Sequence, residues 1–264
     1  MGTVTDKLAY LNETKTSIKN AIIEKGGDVS DEDSFRDYAE KISNIVVKDD
    51  SAMIGLLEGT SEHIDVPEGT TKLRKYCFTR YDTPFSITLP NSVKTIESQC
   101  FYNCYGLKNI TLSNQITELP SQAFGYCSSL ESIELPDSIT YIDYGVFSGC
   151  SSMKSIKLPN NISELPSSLF SQCTALESLT IPTSVTKIGS SLIAHNKLIT
   201  SISIPAGVTS MDSYALGYSG VKEIHVDKPN EGLAGYPWGA DDCKVIYWND
   251  GTKTEFNSFD DLFG

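Results

Sequence analysis

The chain has 264 residues, enough to bury a substantial core in one elongated domain or in two small ones. Its 34 acidic side chains outnumber the 21 basic ones for a formal charge of −13, which disfavours phosphate backbones and anionic lipid surfaces and argues against nucleic acid as a partner. No run approaches the roughly 18 apolar residues of a membrane-spanning helix, and seven cysteines, an odd number at low density, do not read as a small disulfide framework.

At the N-terminus, Leu8, Ala9 and Leu11 are interleaved with Lys7, Asn12, Glu13 and Lys15, so residues 1–16 lack the apolar core of an export signal. Asp6 to Lys25 has helical periodicity, with Leu8, Leu11, Ile18 and Ile22 on one stripe, and Gly26-Gly27 stops it. Ser34 caps a second predicted helix running through Ile42, with Phe35, Tyr38, Ala39 and Ile42 on its apolar face. A helical hairpin this small needs a surface to dock on: the rest of the chain, another copy in a homo-oligomer, or a larger assembly. The segment KLAYLNETKTSIKNAIIEKGGDVSDEDSFRDYAEKI resembles the short N-terminal module of phage tail-associated proteins. That resemblance implies attachment to tail or baseplate proteins.

Beyond it, one period governs the sequence. Phe78, Phe101, Phe124, Phe147, Phe170, Ile193 and Leu216 follow one another at intervals of 23 residues. In step with them run Val66-Pro67, Leu89-Pro90, Leu112-Ser113, Leu135-Pro136, Leu158-Pro159, Ile181-Pro182 and Ile204-Pro205. Within a coil, Leu130-x-x-Ile133-x-Leu135 sets apolar side chains on one face of a short strand and leaves Glu131, Ser132 and Glu134 polar. Pro136 ends it, since proline has no amide to continue a ladder, and Asp137-Ser138 supplies a turn. Ile139, Ile142, Val146 and Phe147 then form a second apolar set that only stacking on neighbouring coils can bury. Seven such coils, at about 4.8 Å each, make a rod about 34 Å long.

Leu130 to Cys150 resembles the coil of the BspA-like leucine-rich repeats, L-x-x-I-x-L-P-x-x-I-x-x-I-x-x-x-A-F-x-x-C, with Val146 in the alanine position. The likeness runs from about Ser61 to Val226. It implies a leucine-rich-repeat solenoid, a right-handed coil with short parallel strands, here preceded by the helical hairpin and closed by a C-terminal β-hairpin.

Cys104, Cys127, Cys150 and Cys173 each follow their phenylalanine by three residues, and Asn196 takes the same place in the next coil. Stacked coils would hold these side chains in parallel, so the thiols are expected to be free and buried in one packing role. A zinc site would need paired short spacings that the ladder lacks, and neither metal nor cofactor is expected. Cys77 and Cys100 fall in the alanine position. His63, His195 and His225 lie in different coils, away from any nucleophile or ligand spacing, and read as surface residues. With no catalytic constellation, the chain reads as a non-enzyme.

Two surfaces are candidates for binding. Thr88, Thr111, Glu134, Lys157, Thr180 and Ser203 recur on the outward side of successive strands as a polar stripe, which the resemblance implies as a binding face and which an ordinary solvated sheet would also show. Tyr102, Tyr105, Tyr126, Tyr144 and Tyr218 fall in the turns, where amphipathic rings stack on a sugar or a protein, or cover coil edges.

At the C-terminus, Tyr236-Pro237-Trp238-Gly239-Ala240 resembles the ending of similar tail proteins. Val245 to Trp248 and Thr252 to Phe256 flank Asn249-Asp250-Gly251, a hairpin signal, with Trp238 and Trp248 as cap residues. The expected organisation is an attachment or oligomerisation module over 1–48, a solenoid over 49–226 and a cap over 227–264. The function expected is that of a phage or prophage tail-associated virion protein presenting its solenoid to a host-cell glycan or protein. The alternative is a BspA-like adhesin on the bacterial cell surface.

Overall fold

The structure is a computed structural model that describes residue 18 and residues 63–256, apart from 67, 81, 83, 231, 232, 235 and 236. The chain divides into two compact units, Met1–Ser61 and Glu62–Gly264. In the first, Ile18 is helical and buried. The rest of the expected hairpin lies outside the described residues.

The second unit is a solenoid of parallel strands in which each coil repeats three segments. The first carries β1 (His63–Asp65), β3 (Phe85–Thr88), β5 (Leu107–Thr111), β10 (Ser201–Ile204), β12 (Glu223–Val226) and β13 (Val245–Trp248). Strands β1, β3 and β5 pair in parallel, as do β10, β12 and β13. Between them the row narrows to one parallel bridge, Glu134 to Lys157. Leu130 to Leu135, predicted as a strand, therefore contributes a bridge only, while Leu130 and Ile133 stay buried and hold the stacking register.

The corner after this row is the proline turn read from the sequence. The carbonyls of Pro90, Pro136, Pro182 and Pro205 accept the amides of Val93, Ile139, Val185 and Val208, each at 3.0 Å. The second row follows: β2 (Lys72–Leu73), β4 (Thr95–Ile96), β6 (Glu118–Leu119), β7 (Tyr141–Ile142), β8 (Glu164–Leu165), β9 (Lys187–Ile188) and β11 (Ser210–Met211), each with an outward side chain followed by an inward one.

Among the described residues the third segment contains no strand. In it Gln99, Phe101 and Asn103 donate their amides to Ser121, Ala123 and Gly125 of the next coil, and Gln122, Phe124 and Tyr126 repeat this onto Tyr144, Val146 and Ser148. Two positions per coil have positive φ: Tyr76, Gln99, Gln122, Gly145, Ser168 and Ser191 in one series, and Arg80, Asn103, Tyr126, Gly149, Gln172, His195 and Tyr218 in the other. Most are not glycine, although the left-handed region costs an L-residue roughly 1–2 kcal/mol. The inter-coil hydrogen bonds and the buried ring between the two positions compensate.

That ring is the spine of the core. Phe78, Phe101, Phe124, Phe147 and Phe170 are buried and stack nearly parallel, with centroids 4.9, 5.2, 5.7 and 5.8 Å apart in succession. Parallel stacking continues past residue 226. The Trp238 carbonyl accepts the Leu216 amide at 2.9 Å, and β13 pairs with β12. Strand β13 then turns back antiparallel onto β14 (Lys253–Glu255) through Gly251, at φ 84°.

Candidate functional site

The outward residues of the first row form one stripe along the strands. Thr88 faces Thr111 in register and Glu134 faces Lys157, with Thr180 and Ser203 in the corresponding places of later coils. At its N-terminal end His63 Nδ1 meets Ser86 Oγ at 2.6 Å, and Thr88 Oγ1 meets His63 Nε2 at 3.2 Å. At its C-terminal end the stripe runs beyond the predicted residues, because Ser203 pairs with His225 and His225 with Tyr247. Those two rings stack 4.8 Å apart at an interplanar angle of 13°. They border a groove of about 540 Å³ whose lining includes Thr180, Ser201, Ser203 and Asn249. The intervals here are 22 rather than 23 residues, so a strict 23-residue count misses His225 and Tyr247.

A second groove, of about 500 Å³, lies over the third segment. Tyr105 and Tyr126 stand at one end and His195 at the other, with Ser128, Gly149, Ser151, Gln172 and Thr174 between them. Tyr102 packs edge-on against Tyr126, with ring centroids 5.6 Å apart, and Tyr218 stacks on His195 at 5.7 Å. Of the five predicted tyrosines, Tyr105 and Tyr126 line the groove, Tyr102 and Tyr218 buttress it, and Tyr144 is exposed outside it. His195 and Gln172, not singled out as binding residues, share the positive-φ series with Tyr126 at intervals of 23, a spacing visible in the sequence.

The cysteine ladder is inward and chemically quiet. The thiols of Cys127, Cys150 and Cys173 donate to the carbonyls of Phe101, Phe124 and Phe147 at 3.2, 3.3 and 3.1 Å, and Asn196 Nδ2 donates to Phe170 at 2.9 Å. Burial pushes these thiols up, that of Cys173 to about 12. All seven cysteines are free, and Cys77 Sγ and Cys100 Sγ are 3.2 Å apart. Among the described residues no three His, Cys, Asp or Glu side chains gather into a metal-holding group.

This chain of repeated parallel coils, with inward Leu, Ile and Phe and a Cys or Asn donating to the carbonyls of Phe101, Phe124, Phe147 and Phe170, matches the family model described as a BspA type leucine rich repeat region over residues 58–150 and 117–236, in six copies. The chain belongs to this family. Among solved structures, a leucine rich cell surface protein from Faecalibacterium prausnitzii A2-165 is 28% identical, with a TM-score of 0.56, over 63% of this chain and 48% of its own. A leucine-rich repeat protein from Eubacterium ventriosum ATCC 27560 shares the fold at 22% identity and a TM-score of 0.57, over 68% of this chain and 47% of its own. The BspA-type chain thus spans about half the length of these two relatives. Among curated proteins no sequence matches it significantly.

Proposed function

We propose that this BspA-type solenoid is a non-enzymatic recognition module of the bacterial cell surface, an adhesin that holds a host protein or glycan on its exposed side chains. The observation that carries this reading is the family membership, joined to 28% identity with a protein described as a leucine rich cell surface protein. The stripe from Thr111 to Tyr247 supports it: exposed side chains recur there coil after coil, and from Ser201 to Trp248 the backbone beneath them is paired in parallel, which leaves side chains to do the recognition. In this reading β13 and β14 close the apolar end of the stack, as repeat arrays require.

The experiment is antibody labelling of intact, unpermeabilised cells of the encoding organism, together with adhesion of the labelled chain to host cells. Surface label and saturable adhesion, weakened by Thr180→Arg with Ser203→Arg, are expected. Label only after permeabilisation would overturn the surface reading.

A second reading, a phage tail or baseplate protein anchored through residues 1–48, has the resemblance of both chain ends to tail-associated proteins in its favour. Immunogold microscopy of induced lysates separates the two, since a virion protein marks tail tips.

A further inference from the structure

We infer that the groove between Tyr126 and His195 binds a neutral oligosaccharide. This rests on the reading of the solenoid as a recognition module and adds to it a place and a ligand class.

The groove has aromatic ends and a small polar floor. The Tyr126 ring is held edge-on by Tyr102 and lies over Gly149, where a Cβ would come within 2.4 Å of Tyr126 Cδ1. Gly149 also occupies the slot that holds Gln172 and His195 in the next two coils, so its missing side chain gives the Tyr126 ring the room to lie there as the aromatic end of the groove. At the far end His195 is backed by the stacked ring of Tyr218. From Tyr126 to His195 is three coils, about 14 Å at about 4.8 Å per coil, a span that suits a short chain of pyranose rings. The volume of about 500 Å³ lies within the roughly 300–1,000 Å³ of small-molecule sites.

The chemistry of the lining selects among ligands. It offers tyrosine rings, hydroxyls, an amide and an imidazole, with no carboxylate, ammonium or guanidinium. Thr174 Oγ1 and Ser151 Oγ donate to the carbonyls of Ser151 and Ser128, at 3.4 and 3.5 Å, which leaves their oxygens as acceptors for sugar hydroxyls. Rings that present an apolar face and a polar edge match the alternating C–H faces and hydroxyl rims of a pyranose. An extended peptide finds no strand edge here, because the amides of Tyr126, Gly149, Gln172 and His195 are all bonded to the following coil. The chain's charge of −13 disfavours anionic glycans.

The test is saturation-transfer NMR followed by calorimetric titration of the full chain with chitotriose, cellotriose, maltotriose and laminaritriose. At least one is expected to bind, with Tyr126→Ala and Ser151→Trp each weakening it by at least about tenfold and Glu118→Trp, exposed on the second strand row, leaving it unchanged. Thermal melting checks that the variants fold, and Thr174→Trp replaces Ser151→Trp if that variant does not. Binding of none of the four, or equal binding by the groove variants, would overturn the inference. The two readings fail separately: titrations in which no trisaccharide binds would sink the saccharide groove alone, whereas absence of surface label would sink the adhesin reading.

Discussion

Asn196 donates its Nδ2–H to the carbonyl of Phe170 at 2.9 Å, performing the task that a thiol performs for the three preceding phenylalanines. The ladder is thus a row of hydrogen-bond donors under the aromatic spine. Asparagine does it at a cost, because its buried Oδ1 has no protein partner. Asn196→Cys is therefore expected to raise stability by about 1 kcal/mol, and Asn196→Leu, which leaves the Phe170 carbonyl only the Cys173 amide at 3.3 Å, to lower it by about 0.5–1.5 kcal/mol. Urea midpoints at constant m-value measure both.

The spine itself carries more energy. Phe147 is buried between Phe124 and Phe170, so Phe147→Ala removes a ring that both neighbours touch. An expected loss of about 3–5 kcal/mol follows from transfer and cavity terms together. A measured cost under about 1 kcal/mol would contradict the stacked-coil packing.

The buried thiols also predict an alkaline weakness. Burial raises Cys127, Cys150 and Cys173 above the ordinary 9.0, Cys173 to about 12, so the native chain keeps protons that the unfolded chain loses above about pH 9. Stability is intact below that pH and falls as pH rises toward 12, by up to about 1.4 kcal/mol per thiol per pH unit. Denaturation at about pH 8 and about pH 10.5 should show this loss, and a triple Cys→Ala variant should show less of it.

In native buffer, only Cys77 is not buried, and a thiol reagent is expected to modify it well before the other six. Cys77→Ser should remove that fast phase. Fast modification of several thiols would mean that the coils open readily.

Gly220 lies where the repeat interval shortens, and a Cβ there would come within 2.4 Å of the Lys197 carbonyl oxygen. Backbone cannot give way as a flexible side chain can, so Gly220→Ala is expected to destabilise by about 1–3 kcal/mol. Gly217→Ala, whose nearest contact would be 3.3 Å, should cost less in the same thermal melts.

The amino-acid sequence by itself determined the coil, the inward Phe and Ile rows, the proline corners and the position of the thiols. These depend on burial and on missing amides, which recur with the chain and leave a periodic trace. Tertiary structure alone decided that the strand stripe continues through His225 and Tyr247, because an outward position has no apolar signature to reveal a change from 23 to 22 residues. It also decided which turn residues share a groove. Tyr126, Gly149, Gln172 and His195 are unlike in chemistry and become neighbours only when the inter-coil hydrogen bonds align their left-handed positions, so that rings from separate coils come to stand at the two ends of one groove.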